Sequence, residues 1–107
     1  MKKFNIEDYD DQCVMHCKNI EEAREFLSYL DSIGRSWRGG GSYLDRDNYD
    51  RYGSDTCYRF TAGEYCYLRY FRDNEYTILN FEEFDWSDTG EAACSMSFED
   101  VFYGSNN

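Results

Sequence analysis

Asn19-Ile20-Glu21-Glu22-Ala23-Arg24-Glu25-Phe26-Leu27-Ser28-Tyr29-Leu30-Asp31-Ser32-Ile33-Gly34 is the stretch on which the fold turns. Ile20, Ala23, Phe26, Leu27, Leu30 and Ile33 recur at the helical period, while Glu21, Glu25, Ser28, Asp31 and Ser32 fall on the opposite side. Asn19, with Glu22 three residues on, makes a capping-box-like start. Gly34 offers the left-handed conformation on which helices end. One amphipathic helix is predicted, and its apolar stripe needs a sheet face to cover it.

Strand signals lie on both sides. Over 12–18, Cys13, Met15 and Cys17 share one face, and Val14 and His16 the other. Residues 35–38 read as a short strand. From Thr56 the period is again two, with Tyr58 and Phe60 alternating against Cys57 and Arg59. Ala62-Gly63-Glu64 reads as a hairpin turn, 65–71 as the return strand, 72–75 as a second turn and 76–81 as a third strand. The expectation is an α+β fold: one main helix packed on an antiparallel sheet, a three-stranded meander plus flanking strands, in a two-layer sandwich. Residues 1–11 put two lysines before Glu7, Asp8, Asp10 and Asp11 and read as a flexible, solvated lead-in. Phe98, Val101 and Phe102 would dock as one helical turn behind Ser97, and 104–107 would fray. The 107 residues suit a single domain.

Composition narrows function. There are 22 acids against 11 bases, a net charge of −11. That excludes direct binding to a nucleic-acid backbone, which needs clustered cations, and disfavours an anionic membrane surface. A basic protein partner is the natural complement, although high charge also simply keeps a small protein soluble. Eleven tyrosines exceed what a small core can satisfy, so several should sit half covered. Five cysteines, and Met1-Lys2-Lys3 followed by Phe4-Asn5-Ile6-Glu7-Asp8 without an apolar run, fit reduced thiols in the cytoplasm.

No constellation for catalysis, metal or cofactor is legible. Cys13, His16 and Cys17 invite a zinc reading. On a strand, however, Cys13 and His16 diverge, and Cys13 and Cys17 stand about 13 Å apart at a rise of roughly 3.3 Å per residue. Small buried thiols are the simpler account. His16 has no nucleophile facing it. Asp45-Arg46-Asp47-Asn48-Tyr49-Asp50 partly matches a calcium loop but has Asp50 where the glycine belongs. The loop Trp37-Arg38-Gly39-Gly40-Gly41-Ser42-Tyr43 would let a backbone approach a phosphate, with Arg38 to pair it, but lacks the Lys-Ser/Thr ending of a P-loop. A nucleotide-type ligand held by Trp37, Arg38, Gly39, Gly40 and Tyr43 is one reading. The other is an acidic face in which Asp45, Asp47, Asp50, Glu82, Glu83, Asp85 and Asp88 surround the anchors Tyr49 and Trp86.

Five segments together resemble small uncharacterised acidic proteins carried by phages and mobile elements of Firmicutes. They are Glu21-Glu22-Ala23-Arg24-Glu25-Phe26-Leu27, the turn Gly34-Arg35-Ser36-Trp37, Cys57-Tyr58-Arg59-Phe60, Tyr76-Thr77-Ile78-Leu79 and Phe84-Asp85-Trp86. The resemblance spans about two thirds of the chain and carries over no functional residue. It implies a mobile-element context, in which such proteins often act against host defence. The anti-CRISPR type, which blocks the basic nucleic-acid-binding surface of a nuclease, is the clearest version. On that expectation the chain is a non-catalytic inhibitor whose acids stand in for phosphates.

Overall fold

The computed structural model describes residues 1–87. The helix α1 runs Ile20–Ser32 and begins as its sequence dictates: the Asn19 side chain accepts the Glu22 N–H at 2.8 Å. Glu22 reaches back one residue further than a capping box does, its carboxylate accepting the Lys18 N–H at 3.0 Å. At the far end the Gly34 N–H donates to Asp31 and the Arg35 N–H to Leu30, with Gly34 at φ +87°, a Schellman turn. Ala23, Phe26, Leu27 and Leu30 are buried. Ile33 belongs to the stripe by spacing, but as the C-cap it has left the helical turn and is exposed.

Among the described residues six strands accompany the helix: β1 (Lys2–Lys3), β2 (Cys13–His16), β3 (Thr56–Arg59), β4 (Glu64–Tyr67), β5 (Thr77–Asn80) and β6 (Phe84–Asp85). Four of them form a mixed sheet in the order β4-β3-β2-β5. The β3–β4 hairpin forms where the turn residues place it, with Arg59 opposite Glu64. The expected meander does not continue from it. Leu68–Asp73 forms a short helix, α2, and β5 joins the far edge of the sheet, parallel to β2 with Val14 opposite Ile78. The reason lies in 68–72, where Leu68 and Phe71 are three apart and point inward together only as a helical turn. The result is a compact α+β arrangement with one main helix and mixed sheets.

The alternation along β2 sorts its side chains onto two faces. Cys13, Met15 and Cys17 join Tyr58, Phe60 and the α1 stripe in the main core. Val14 and Cys57 turn the other way and pack with Phe71 of α2.

Two expectations are corrected. Residues 1–11 are not a solvated lead-in: β1 pairs in parallel with β6, and Phe4 and Ile6 are buried. The Phe4 ring lies 5.3–5.6 Å from the rings of Tyr9, Phe26, Tyr29, Phe60, Phe84 and Trp86. The charges around Phe4 and Ile6 hid two core residues. Residues 35–38 pair with no strand; they cross the β3–β4 turn instead. The predicted turn of helix at 97–102 and the segment 104–107 lie outside the described residues.

Candidate functional site

The 37–41 loop is built from backbone contacts. The Trp37 N–H donates to the Gly41 carbonyl at 2.9 Å, and the Gly40 N–H, at φ +101°, to the Trp37 carbonyl at 2.8 Å. The Arg38 N–H donates to the Gly63 carbonyl at 3.0 Å, tying the loop to the hairpin turn. Only glycine fits there. Gly63 has φ +72°, and a Cβ on it would meet the Arg38 nitrogen at 2.6 Å and the Ser36 oxygen at 2.8 Å. The Trp37 indole N–H donates to the Arg46 carbonyl at 2.8 Å, and its ring packs on Tyr43 at 4.6 Å and Tyr65 at 5.7 Å.

Between this loop, the hairpin and α2 opens a cleft of about 700 Å³. Arg38, Arg46 and Arg59 line it beside Trp37, Tyr65 and Tyr70. Arg38 and Arg59 share the Glu64 carboxylate at 2.5 and 2.8 Å, and Arg59 also reaches Asp11 at 3.3 Å. Burial works to raise Glu64, but the hydrogen bonds from Arg59 and Arg38 outweigh it and hold its carboxyl below the usual range. The two guanidiniums differ in freedom: the Arg38 side chain is 69% exposed and Arg59 only 19%. A ribbon of tyrosines links the two cleft residues Tyr65 and Tyr70, Tyr52 to Tyr65 at 5.9 Å, Tyr52 to Tyr67 at 5.3 Å and Tyr67 to Tyr70 at 6.3 Å.

Of the residues expected to hold a ligand, Trp37, Arg38 and Gly39 line this cleft. Gly40 shapes the loop behind them. Tyr43 is buried beneath Trp37, and burial pushes its phenol up to about 12. Sequence reasoning missed Arg46, Arg59, Tyr65 and Tyr70. The available signal was Arg59 and Glu64 flanking a turn, an opposite-charge pair at facing positions of a hairpin.

The acidic set is divided. Asp45 and Asp50 are exposed and, with Asp47, line a shallow depression that also holds Arg46 and Arg51. Asp47 accepts the Tyr49 N–H at 2.9 Å and pairs with Arg24 at 3.4 Å. Glu82 pairs with Lys18, and Glu83 is exposed beside Asn80. Asp85 accepts the Ser87 N–H and pairs with Lys3, which together lower its carboxyl to about 2. Both expected anchors are corrected. Tyr49 is buried, its hydroxyl donating to the Cys17 carbonyl at 3.2 Å. Trp86 is stacked on Phe81 at 4.5 Å in the core, its indole N–H donating to the Phe81 carbonyl. Apolar rings were recruited inward, so neither presents itself to a partner. Asp88 lies outside the described residues.

His16 sits between the Ser54 carbonyl at 2.7 Å and Asn80 Oδ1 at 3.3 Å. Among the described residues no three His, Cys, Asp or Glu side chains gather as metal ligands would, and no helix is long and apolar enough to cross a membrane. No family model, curated protein or solved structure matches this chain.

Proposed function

We propose that the protein is a non-catalytic binding protein whose cleft takes a small planar, anionic ligand of nucleotide type. The observation that carries this reading is the convergence of Arg38, Arg46 and Arg59 with Trp37, Tyr65 and Tyr70 on one cleft. Its volume of about 700 Å³ falls within the roughly 300–1,000 Å³ of small-molecule sites. Aromatic walls receive a base by stacking, and guanidiniums take phosphate oxygens in pairs. In a chain of net charge −11, a lining with three guanidiniums against the carboxylates of Asp45 and Glu64 is the local exception. Arg38 is exposed enough to turn from Glu64 to a ligand, while Arg59 stays in place to hold Glu64.

Thermal melting with adenosine and guanosine monophosphates and their cyclic dinucleotides as probes tests this. A ligand at 100 times its Kd stabilises the folded state by about 2.7 kcal/mol, several degrees in a domain of this size. The expected result is a saturable rise in Tm for at least one probe that Arg38→Ala removes. A flat response to every probe sinks the ligand reading.

A second reading has its own observation, the acid-lined depression of Asp45, Asp47 and Asp50. There the acids would mimic phosphates on the basic nucleic-acid-binding surface of a defence nuclease, in the anti-CRISPR manner. That binding falls steeply with salt, since exposed charges are screened over about 8–10 Å. It weakens on charge reversal at Asp50, a change to which nucleotide binding in the cleft is indifferent.

A further inference from the structure

The β3–β4 register sets Cys57 directly opposite Cys66. Both thiols are free and belong to the sheet face that packs on Phe71. Cys57 is fully buried, whereas Cys66 is partly exposed and lines the cleft. Facing residues of an antiparallel pair have Cα atoms about 4.5–5.5 Å apart, inside the roughly 4.4–6.8 Å range of disulfides. Their Cβ atoms, also about 4.5–5.5 Å apart, are wider than the roughly 3.5–4.5 Å a disulfide takes. A bond between them therefore draws the strands' side chains together and is more easily reduced than a relaxed one. Cys13 and Cys17 sit on the opposite face in the main core and do not compete for either thiol.

We infer that Cys57 and Cys66 form a reversible thiol–disulfide site reached through the cleft, with Cys66 the entering thiol and Cys57 the resolving one. The oxidant is a small disulfide such as oxidised glutathione. The Cys66 thiolate attacks one of its sulfurs, the glutathione S–S bond breaks, and one glutathione thiolate leaves a mixed disulfide on Cys66. The Cys57 thiolate then attacks the Cys66 sulfur and expels the second glutathione. The two protein protons pass to the two departing thiolates, so two cysteines are oxidised as one disulfide is reduced to two thiols. Burial pushes the Cys57 thiol up to about 12, which makes the second step the slow one. Its fixed place across the ladder offsets part of that cost by proximity. The site uses the cleft only as a route of access and stands whether or not a nucleotide binds there.

The test is peptide mapping of the full chain held in glutathione buffers of graded oxidised fraction, then quenched in denaturant with iodoacetamide. Tryptic cuts at Arg51, Arg59 and Arg69 put Cys57 in the peptide 52–59 and Cys66 in 60–69. The expected product is these two peptides joined by a disulfide, rising with the oxidised fraction and vanishing when reduced glutathione is restored. In Cys57→Ala the mixed disulfide on Cys66 should accumulate instead. Both thiols alkylated at every ratio, either one joined to Cys94, or Cys66 stopping at the mixed disulfide in the unaltered protein would each overturn the inference. The mapping of the unaltered protein decides the matter even if the variant folds poorly.

Discussion

Two aromatic assemblies divide this small protein, and they differ in chemistry as much as in place. Around Phe4 gather Phe26, Phe60, Phe84 and Trp86, mostly edge to face. Tyr9 and Tyr29 also touch Phe4 but stay half-buried, and of the other four rings only Trp86 brings a polar atom, an indole N–H donated to the Phe81 carbonyl. Across the molecule run Tyr52, Tyr65, Tyr67 and Tyr70, each with a hydroxyl that water or a partner must satisfy, and Tyr67 and Tyr70 stay 40% and 42% exposed. Burying a tyrosine asks a partner for its hydroxyl, as Tyr49 finds in the Cys17 carbonyl. Tyr58 does the same: it is fully buried, and its hydroxyl donates to the Asp47 carbonyl at 2.7 Å.

The comparison is broken most forcefully at its centre. Phe4→Ala should cost about 3–5 kcal/mol in urea unfolding, the usual range for a buried phenylalanine, and leave cleft binding at its native affinity once folded. A loss below about 1 kcal/mol would return residues 1–11 to the role of a loose lead-in. Next in size is Gly63→Ala, which forces a Cβ against the Arg38 and Ser36 backbone at a positive φ. We expect about 1–3 kcal/mol of destabilisation, with faster hydrogen exchange at the Arg38 amide and undisturbed protection in α1. Uniform loss of protection would instead make the loop and the core one cooperative unit.

Sequence patterning reached the elements that obey one period. The helix, both of its ends and the β3–β4 hairpin follow from spacing, capping residues and turn chemistry. It failed where tertiary pairing chose between equal local options. Nothing within 76–81 says that the strand will pair with β2 instead of β4, because alternation does not encode a neighbour. Phe4 was masked by flanking charge. Trp86 sits between acids in the sequence and beside Phe81 and Phe4 in the fold. For the cleft, the 37–41 loop was legible from its glycines. Arg46, Arg59 and Tyr70 were not, since only the folded chain brings 46, 59 and 70 together.

Acid titration sharpens the contrast at smaller scale. Glu64 on the cleft side and Asp85 beside the Phe4 cluster both have folded carboxyls below their ordinary values of 4.5 and 3.8. Each therefore adds stability above its unfolded pKa that is lost as pH falls through the folded one. For Glu64 the ion pairs are partly solvated, so the contribution is about 0.2–1 kcal/mol, fading below pH 4.5. For Asp85 the loss runs from 3.8 down to about 2. Melting temperature against pH should flatten near pH 4 in Glu64→Gln, and only below it in Asp85→Asn. Identical profiles for the two variants would mean that neither carboxylate titrates as its partners dictate.

The smallest change in stability separates surface from site. Tyr70→Ser removes a half-exposed ring from the tyrosine ribbon, and its cost in unfolding should stay within about 0.5 kcal/mol. If Tyr70 is a wall of a ligand cleft, the same substitution should weaken the bound nucleotide by the worth of one stacked base, about 1–3 kcal/mol, or roughly 5- to 150-fold in Kd. A core ring would show the reverse, a large loss of stability with binding intact once folded. Equal, small effects on both would mean that the ribbon's exposure reflects only the solvation of its hydroxyls. The phosphate-mimicking face of Asp45, Asp47 and Asp50 would then become the better account of what this surface does.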